Sequence, residues 1–308
     1  MNNVKAMVLR AAGINCDLET QHALELAGAQ ADRVHINRII EDKSLLDQYQ
    51  VLVIPGGFSY GDDVAAGKIL ANQIRHHLYE QTKKFIDDGK LVLGICNGFQ
   101  VLVKAGILPF FANATKGKPG NSIMDAVTIT YNDSNKFEDR WVYLAPQTDK
   151  CVFIEQGRQI YLPIAHGEGK VVTKDEQTLE KLRNDGFVAF KYVDENGNEG
   201  GYPINPNGSI GSIAGLTDST GRVLGLMPHP ERHVRHTQHP RWTRIKTIDH
   251  RPQTKAKPES PQGTKDQSRV RKDSMGEGHQ TVDHRPQTTD ADGMTIFNNA
   301  VKYVSQNL

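Results

Sequence analysis

One run constrains this chain more than any other: Leu91-Val92-Leu93-Gly94-Ile95-Cys96-Asn97-Gly98-Phe99-Gln100-Val101-Leu102. Its first residues are apolar without polar alternation, which describes a strand buried on both faces and calls for a parallel sheet covered by helices on each side. Its last residues start a helix. Between them a Gly-x-Cys-x-Gly turn reverses the chain so sharply that neighbouring backbone must occupy the space of a Cβ at Gly94 and Gly98. Such a turn leaves Cys96 at its tip, facing the N-terminus of the following helix. The unpaired N–H groups and positive partial charge there lower a thiol pKa and stabilise a developing oxyanion. An isolated cysteine is ordinarily a small core hydrophobe. Cys16 and Cys151 have no such turn around them and keep that reading; Cys96 is the candidate nucleophile.

The rest of the first hundred residues fits an α/β layout. Ala6-Met7-Val8-Leu9, Leu18 to Leu26, and Val51-Leu52-Val53-Ile54 read as strand, helix, strand. Val64 to Ile86 carries apolar residues at helical spacing and ends at Gly89. From about Ala126 the pieces are β-rich: 127–130, 141–144, 160–164 and 188–192. They extend the same domain, so one domain is expected over residues 1–234. From Arg235 to Asp292 the composition turns to Lys, Arg, His, Pro, Gln, Ser, Thr and Asp, too polar to offset the entropy of ordering, and a disordered insertion is expected. It contains a duplicated stretch, Thr247-Ile248-Asp249-His250-Arg251-Pro252-Gln253-Thr254, which returns with one change at Thr281 to Thr288. Residues 293–308 then place Ile296, Phe297, Ala300, Val301 and Val304 on one helical face, which should dock back on the domain.

The charge balance excludes some classes of function. Lys plus Arg number 37 and Asp plus Glu 36, so no global field steers the chain to nucleic acid or an anionic membrane. Three widely separated cysteines read as reduced thiols, which points to the cytoplasm. The first ten residues are too polar for a signal peptide, and no run is long enough to span a bilayer. Secretion and membrane insertion are therefore not expected.

A thiolate nucleophile needs a proton carrier, and Val223-Leu224-Gly225-Leu226-Met227-Pro228-His229-Pro230-Glu231-Arg232 supplies one after another apolar run. In an extended segment residues two apart face the same side, so Glu231 can hold the tautomer of His229 while His229 serves Cys96 as base and then acid. His233, His236 and His239 follow, but nothing closes a metal-ligand set around them. Val51 to Ile54 leads into Pro55-Gly56-Gly57, whose backbone N–H groups can face a substrate carbonyl; Gly57 with the Asn97 N–H would complete an oxyanion hole. Gly61 to Lys68 looks superficially like a phosphate loop. Its glycines stand one residue too far apart and Ile69 replaces the required hydroxyl, so ATP binding is not expected there.

Taken together, the elbow at Cys96, the His229-Pro230-Glu231 pair and the Pro-Gly-Gly turn resemble the class I glutamine amidotransferases. That resemblance implies a flavodoxin-like, three-layer α/β/α, doubly wound and mostly parallel sheet, and a Cys-His-Glu triad of Cys96, His229 and Glu231. Gly13-Ile14-Asn15-Cys16-Asp17, Gly56 to Asp63, Gly94 to Gln100, His166-Gly167-Glu168-Gly169 and Met227 to Arg232 are similar to the branch that serves purine biosynthesis. By that similarity Gly57 and Asn97 are the oxyanion donors, and Gln100 and His166 lie near the main-chain groups of bound glutamine. No metal or cofactor is implied in this chain. ATP and Mg²⁺ are expected on a separate synthetase subunit that consumes the ammonia, with a small accessory subunit in the same complex.

Two other functions compete. A cysteine hydrolase or protein-repair enzyme on the same fold also uses an elbow cysteine, but Glu231 two residues after His229 argues against it. A nucleic-acid module in the basic insertion would need interleaved aromatics for base stacking, and only Trp242 is present.

Overall fold

The computed structural model describes residues 4–109, 126–244 and 291–308. Five strands, β1 (Lys5–Arg10), β2 (Gln30–His35), β3 (Val51–Ile54), β4 (Leu91–Ile95) and β11 (Val223–Leu226), run mutually parallel in the order β2-β1-β3-β4-β11. The sheet continues antiparallel through β10 (Ile213–Thr217), β9 (Val188–Val193), β6 (Glu138–Pro146) and β7 (Ile160–His166). A separate ribbon pairs β5 (Val127–Tyr131) with β8 (Glu168–Thr173). The helices are α1 (Asp17–Leu26), α2 (Ile36–Glu41), α3 (Lys68–Gln73), α4 (Tyr79–Asp87), α5 (Asn97–Lys104), α6 (Glu176–Asn184) and α7 (Met294–Asn307). Together they make a three-layer α/β/α domain. Among the described residues no helix is long and apolar enough to cross a membrane.

The central strands follow from their sequence. All residues of β3, β4 and β11 are buried, as continuous apolar runs between helical layers must be. In contrast, β2 is a polar edge strand, Gln-Ala-Asp-Arg-Val-His, buried only at Ala31, and its pattern carries little strand signal. It and α2 therefore fall between the expected first helix and second strand. The expected helix from Val64 begins instead at Lys68, because Gly67 takes a left-handed conformation (φ 71°) that breaks it from the preceding turn. It then runs through a wide turn at Ile74–Leu78 into α4.

Register aligns three loops. Ile54 pairs with Gly94, and Gly94 with Gly225, so β3, β4 and β11 end side by side. Their C-terminal ends deliver Pro55-Gly56-Gly57, Cys96 and Met227-Pro228-His229 to one edge of the sheet, close to the reversal of strand order between β1 and β3, where doubly wound sheets bind ligands.

The segment expected to begin at Arg235 is folded for its first ten residues. Single turns at His236–Gln238 and Trp242–Arg244 lie there, and His239 is buried with its ring 4.4 Å from that of Trp141. At the other end Asp292 pairs with Arg158 at 3.0 Å and accepts from the Tyr161 N–H. The remainder, including both copies of the duplicated stretch, lies outside the described residues. α7 buries Ile296, Phe297, Ala300 and Val304 and packs against α1.

Candidate active site

Cys96 occupies a backbone conformation that L-residues rarely adopt, φ 50° and ψ −106°. The surroundings impose it. The Cys96 N–H donates to the Leu226 carbonyl at 2.8 Å, finishing the β4–β11 ladder, while its own carbonyl already accepts from Gln100 N–H at 3.1 Å as the first bond of α5. Both glycines of the turn are sterically required. A Cβ on Gly98 would stand 1.8 Å from the Ile54 carbonyl oxygen, and one on Gly94 2.7 Å from the Gly98 carbonyl oxygen. Residues held in such strained conformations cost about 1–3 kcal/mol each and persist only where packing over-determines them.

Glu231 reaches the imidazole of His229 through a turn, not through an extended segment as expected. His229 ends the strand segment, and Pro230–Arg232 form a single 3₁₀ turn that folds Glu231 back on the imidazole. The His229 Nδ1 and the Glu231 Oε1 are 2.6 Å apart, and both residues are buried. Burial alone depresses the pKa of the imidazole, but the Glu231 carboxylate, and after it the nearby Cys96 and Cys16 sulfurs, overcome it. His229 is thereby held protonated well above its usual range. Its Nε2 makes no well-aligned hydrogen bond within the protein and is buried, a resting geometry that substrate binding commonly tightens. The Cys96 Sγ points instead toward the Ala165 carbonyl at 3.8 Å.

The Pro-Gly-Gly turn presses against this pair. A Cβ on Gly56 would meet the His229 Cε1 at 2.7 Å and the Cys16 Sγ at 3.2 Å. Gly57 has φ 138° and bridges to Ile14. Asn97 ties the turn to the elbow: its side chain accepts from Ser59 N–H at 3.3 Å and donates to Asp62 and Gln100 at 3.1 and 3.0 Å. Gly57 follows the end of β3 and Asn97 follows Cys96 at the end of the neighbouring β4, joined by the Asn97–Ser59 bond. Gln100 is buried with both ends of its amide engaged, Oε1 by Asn97 and Nε2 by the Glu168 carbonyl. It links the elbow helix to the start of β8, two residues past His166. His166 is buried, and burial together with the nearby His229 pushes its pKa down to about 3.

Several residues at the site lie inside or beside the motifs of the sequence but were given no catalytic or binding role there. Cys16, read as a core thiol, lies with His229 and Glu231 in a cluster whose ligand atoms are within 4.8 Å of one another. Arg232 donates to its sulfur at 3.1 Å and to Glu19 at 2.8 Å. Burial raises the Cys16 thiol, partly offset by the nearby His229. The Gly13-to-Asp17 motif was the clue available. Lys104 and Glu168, 3.7 Å apart and mostly buried, join Asp62 in bracing the loop from Gly57 to Gly67. Cys151 is a core thiol, pushed up to about 12 by burial. His233 spends its Nδ1 on the Tyr161 carbonyl at 2.8 Å and His239 packs on Trp141, so neither is turned to a shared ligand position.

Residues 3–260 match the family described as the CobB/CobQ-like glutamine amidotransferase domain. The phosphoribosylformylglycinamidine synthase subunit PurQ of Dehalococcoides mccartyi is 47% identical over 244 residues, 79% of this chain and 90% of that protein. A subunit of the same name from Methanococcus maripaludis is 41% identical over 247 residues, 79% and 88% of the two chains. Among solved structures, that of PurLQS from Thermotoga maritima aligns with a TM-score of 0.63 at 27% identity, covering 98% of this chain and 99% of that one.

Proposed function

We propose a reaction from one premise: the chain belongs to the CobB/CobQ-like glutamine amidotransferase family. It is the glutaminase subunit of phosphoribosylformylglycinamidine synthase, and it hydrolyses glutamine to glutamate and ammonia. The buried His229–Glu231 pair beside the strained elbow of Cys96 carries this reading. Cys96 sulfur attacks the carboxamide carbon of glutamine, and the carbonyl oxygen takes the negative charge. The backbone N–H groups of Gly57 and Asn97 receive that charge; fixed donors of this kind are worth about 3–4 kcal/mol each in the transition state. His229, protonated at rest, gives its proton to the amide nitrogen as the C–N bond breaks, releasing ammonia and leaving a glutamyl thioester. Water then attacks the thioester carbon, with neutral His229 taking its proton, and glutamate leaves as the Cys96 sulfur is restored.

Glu231 does not exchange protons in this scheme; it keeps Nδ1 protonated so that Nε2 faces the sulfur and the leaving nitrogen. Gln100 and His166 line the glutamine pocket. No cofactor or metal is needed in this chain. The ammonia passes to a separate synthetase subunit that uses ATP and Mg²⁺ to convert formylglycinamide ribonucleotide to formylglycinamidine ribonucleotide in de novo purine biosynthesis, in a cytoplasmic complex completed by a small accessory subunit. Free ammonia would be lost to diffusion and protonation, which is the chemical reason for a partner.

The test is glutaminase turnover with and without the synthetase and its substrates. Turnover should be feeble for the isolated chain and rise at least tenfold in the complex; equal turnover in both states would contradict coupling.

A further inference from the structure

Asn132, in the turn after β5, is 1% exposed, and its side chain is fully committed. Its Oδ1 accepts from the Gly169 N–H at 3.0 Å and faces the His166 Nδ1 at 3.1 Å. Its Nδ2 donates to the carbonyls of His166 and Lys136 at 2.8 and 2.9 Å. A backbone N–H can only donate and a carbonyl can only accept, so the orientation of this amide is determined by its neighbours and not by a choice between two flips.

The consequence falls on His166. With an oxygen opposite Nδ1, the proton of the neutral ring must sit on Nδ1, and Nε2 is left as a bare acceptor. That Nε2 is buried and has no partner in the protein. The ring is only 3% exposed, with Gly169 closing over it so tightly that a Cβ there would stand 2.2 Å from His166 Cε1. It is close enough to His229 to feel its charge, and the neighbouring Ala165 carbonyl faces the Cys96 sulfur. A buried acceptor without a partner is costly in a folded protein unless a ligand completes it.

We propose that Asn132 is a positioning residue that locks His166 in the Nδ1–H tautomer, so that the Nε2 lone pair receives an N–H of the bound amino-acid amide. This rests on the glutaminase reading for the identity of the ligand, and on the hydrogen-bond network alone for the tautomer. Two groups of the substrate offer such an N–H, the side-chain carboxamide and the α-ammonium. A lone pair facing the carboxamide also repels the carboxylate of glutamate and so helps to reject the product.

The experiment uses the full-length chain with ¹⁵N-labelled histidine, in which NMR reports which ring nitrogen carries the proton. In the unliganded wild type, His166 is expected to show protonated Nδ1 and bare Nε2; a protonated Nε2 overturns the proposal without any variant. In Asn132→Leu the tautomer should shift toward Nε2–H and the KM for glutamine should rise about tenfold with a smaller change in kcat, in line with the loss of one hydrogen bond. Asn132→Asp, which still offers an oxygen to Nδ1, should keep a proton on Nδ1. An unchanged tautomer in Asn132→Leu overturns the positioning role, and so does a misfolded Leu variant accompanied by an Asp variant with Nδ1 unprotonated. Assays with glutaric acid monoamide, which lacks the α-amino group, identify the donor: a KM effect that persists assigns the carboxamide, and one that vanishes assigns the α-ammonium. Wild-type protein with the expected tautomer but no glutaminase activity, alone or in the complex, would overturn the reading of the ligand while leaving the tautomer lock standing.

Discussion

Gly98→Ala tests the elbow by adding a single methyl group. That Cβ would stand 1.8 Å from the Ile54 carbonyl oxygen and 2.7 Å from its carbon, so about 1.6 Å of separation must open before ordinary contact is reached. The obstacle is backbone in the centre of the sheet, where neither β3 nor β4 can give way without disturbing the ladders on its other side. Overpacking of this kind costs about 1–3 kcal/mol, and the upper end applies here. At roughly 2–4 °C per kcal/mol for a domain of this size, the expected fall in Tm is about 6–12 °C. Activity should suffer more, because a displacement of about 1 Å at reacting atoms costs on the order of 100-fold in rate. The control is Gly157→Ala, where φ is 74° but nothing lies within 4 Å. It should lose about 1 kcal/mol from backbone strain and keep full glutaminase activity. Thermal denaturation and steady-state glutaminase assays on the same samples read both quantities. If Gly98→Ala is no less stable than Gly157→Ala and retains its rate, the close approach of elbow and β3 is wrong.

Glu231→Gln removes the charge from a buried bond of 2.6 Å and with it the group that orients and protonates His229; general acid–base catalysis is worth about 10²–10⁴-fold, so kcat should fall by roughly that factor, and a variant keeping a tenth of the wild-type rate would refute the assignment. The same change should move the alkaline limb of the pH–rate profile to lower pH, because Glu231 is the leading charge that holds His229 protonated above its usual range. His166 bears on acid stability with the opposite sign. Its folded pKa of about 3 lies below the ordinary 6.5, so its contribution is complete above pH 6.5 and is lost as pH falls toward 3; His166→Gln should unfold less steeply with acid over that window in urea titrations. Cys96→Gly should be more stable than Cys96→Ala by about 1 kcal/mol, the reverse of the usual order, because φ at this position is 50°; the usual order in denaturant melts would mean that the conformation is not strained.

The residues that lie on continuous apolar strands were legible from sequence because burial on both faces leaves no alternative pattern. β3, β4 and β11 are of this kind, and each ends in a motif whose chemistry is distinctive. The elbow was legible for a related reason, since two glycines around a cysteine between strand and helix leave few other geometries. β2 was not legible, because an edge strand facing solvent uses polar residues that also suit a loop. Nor was the route by which Glu231 meets His229. Spacing of two fits an extended chain, yet Pro230 starts a 3₁₀ turn that reaches the same result. Asn132 escaped because its role arises from contacts across 34 positions with no local pattern to mark it, and Cys16, although inside a motif, because its partner Arg232 lies more than 200 positions away. The segment after Arg235 was read from composition, which averages over its first ten residues and misses that His239 has a site on Trp141.

The most direct measurement is mass spectrometry of the intact chain and its tryptic peptides after exposure to an electrophilic glutamine analogue, with Cys96→Ala treated in parallel. The account predicts one added glutamine-derived group, on the peptide containing Cys96, absent from the variant and suppressed by excess glutamine. Labelling of Cys16 or Cys151 in its place, or no adduct at all on the wild-type chain, would contradict it.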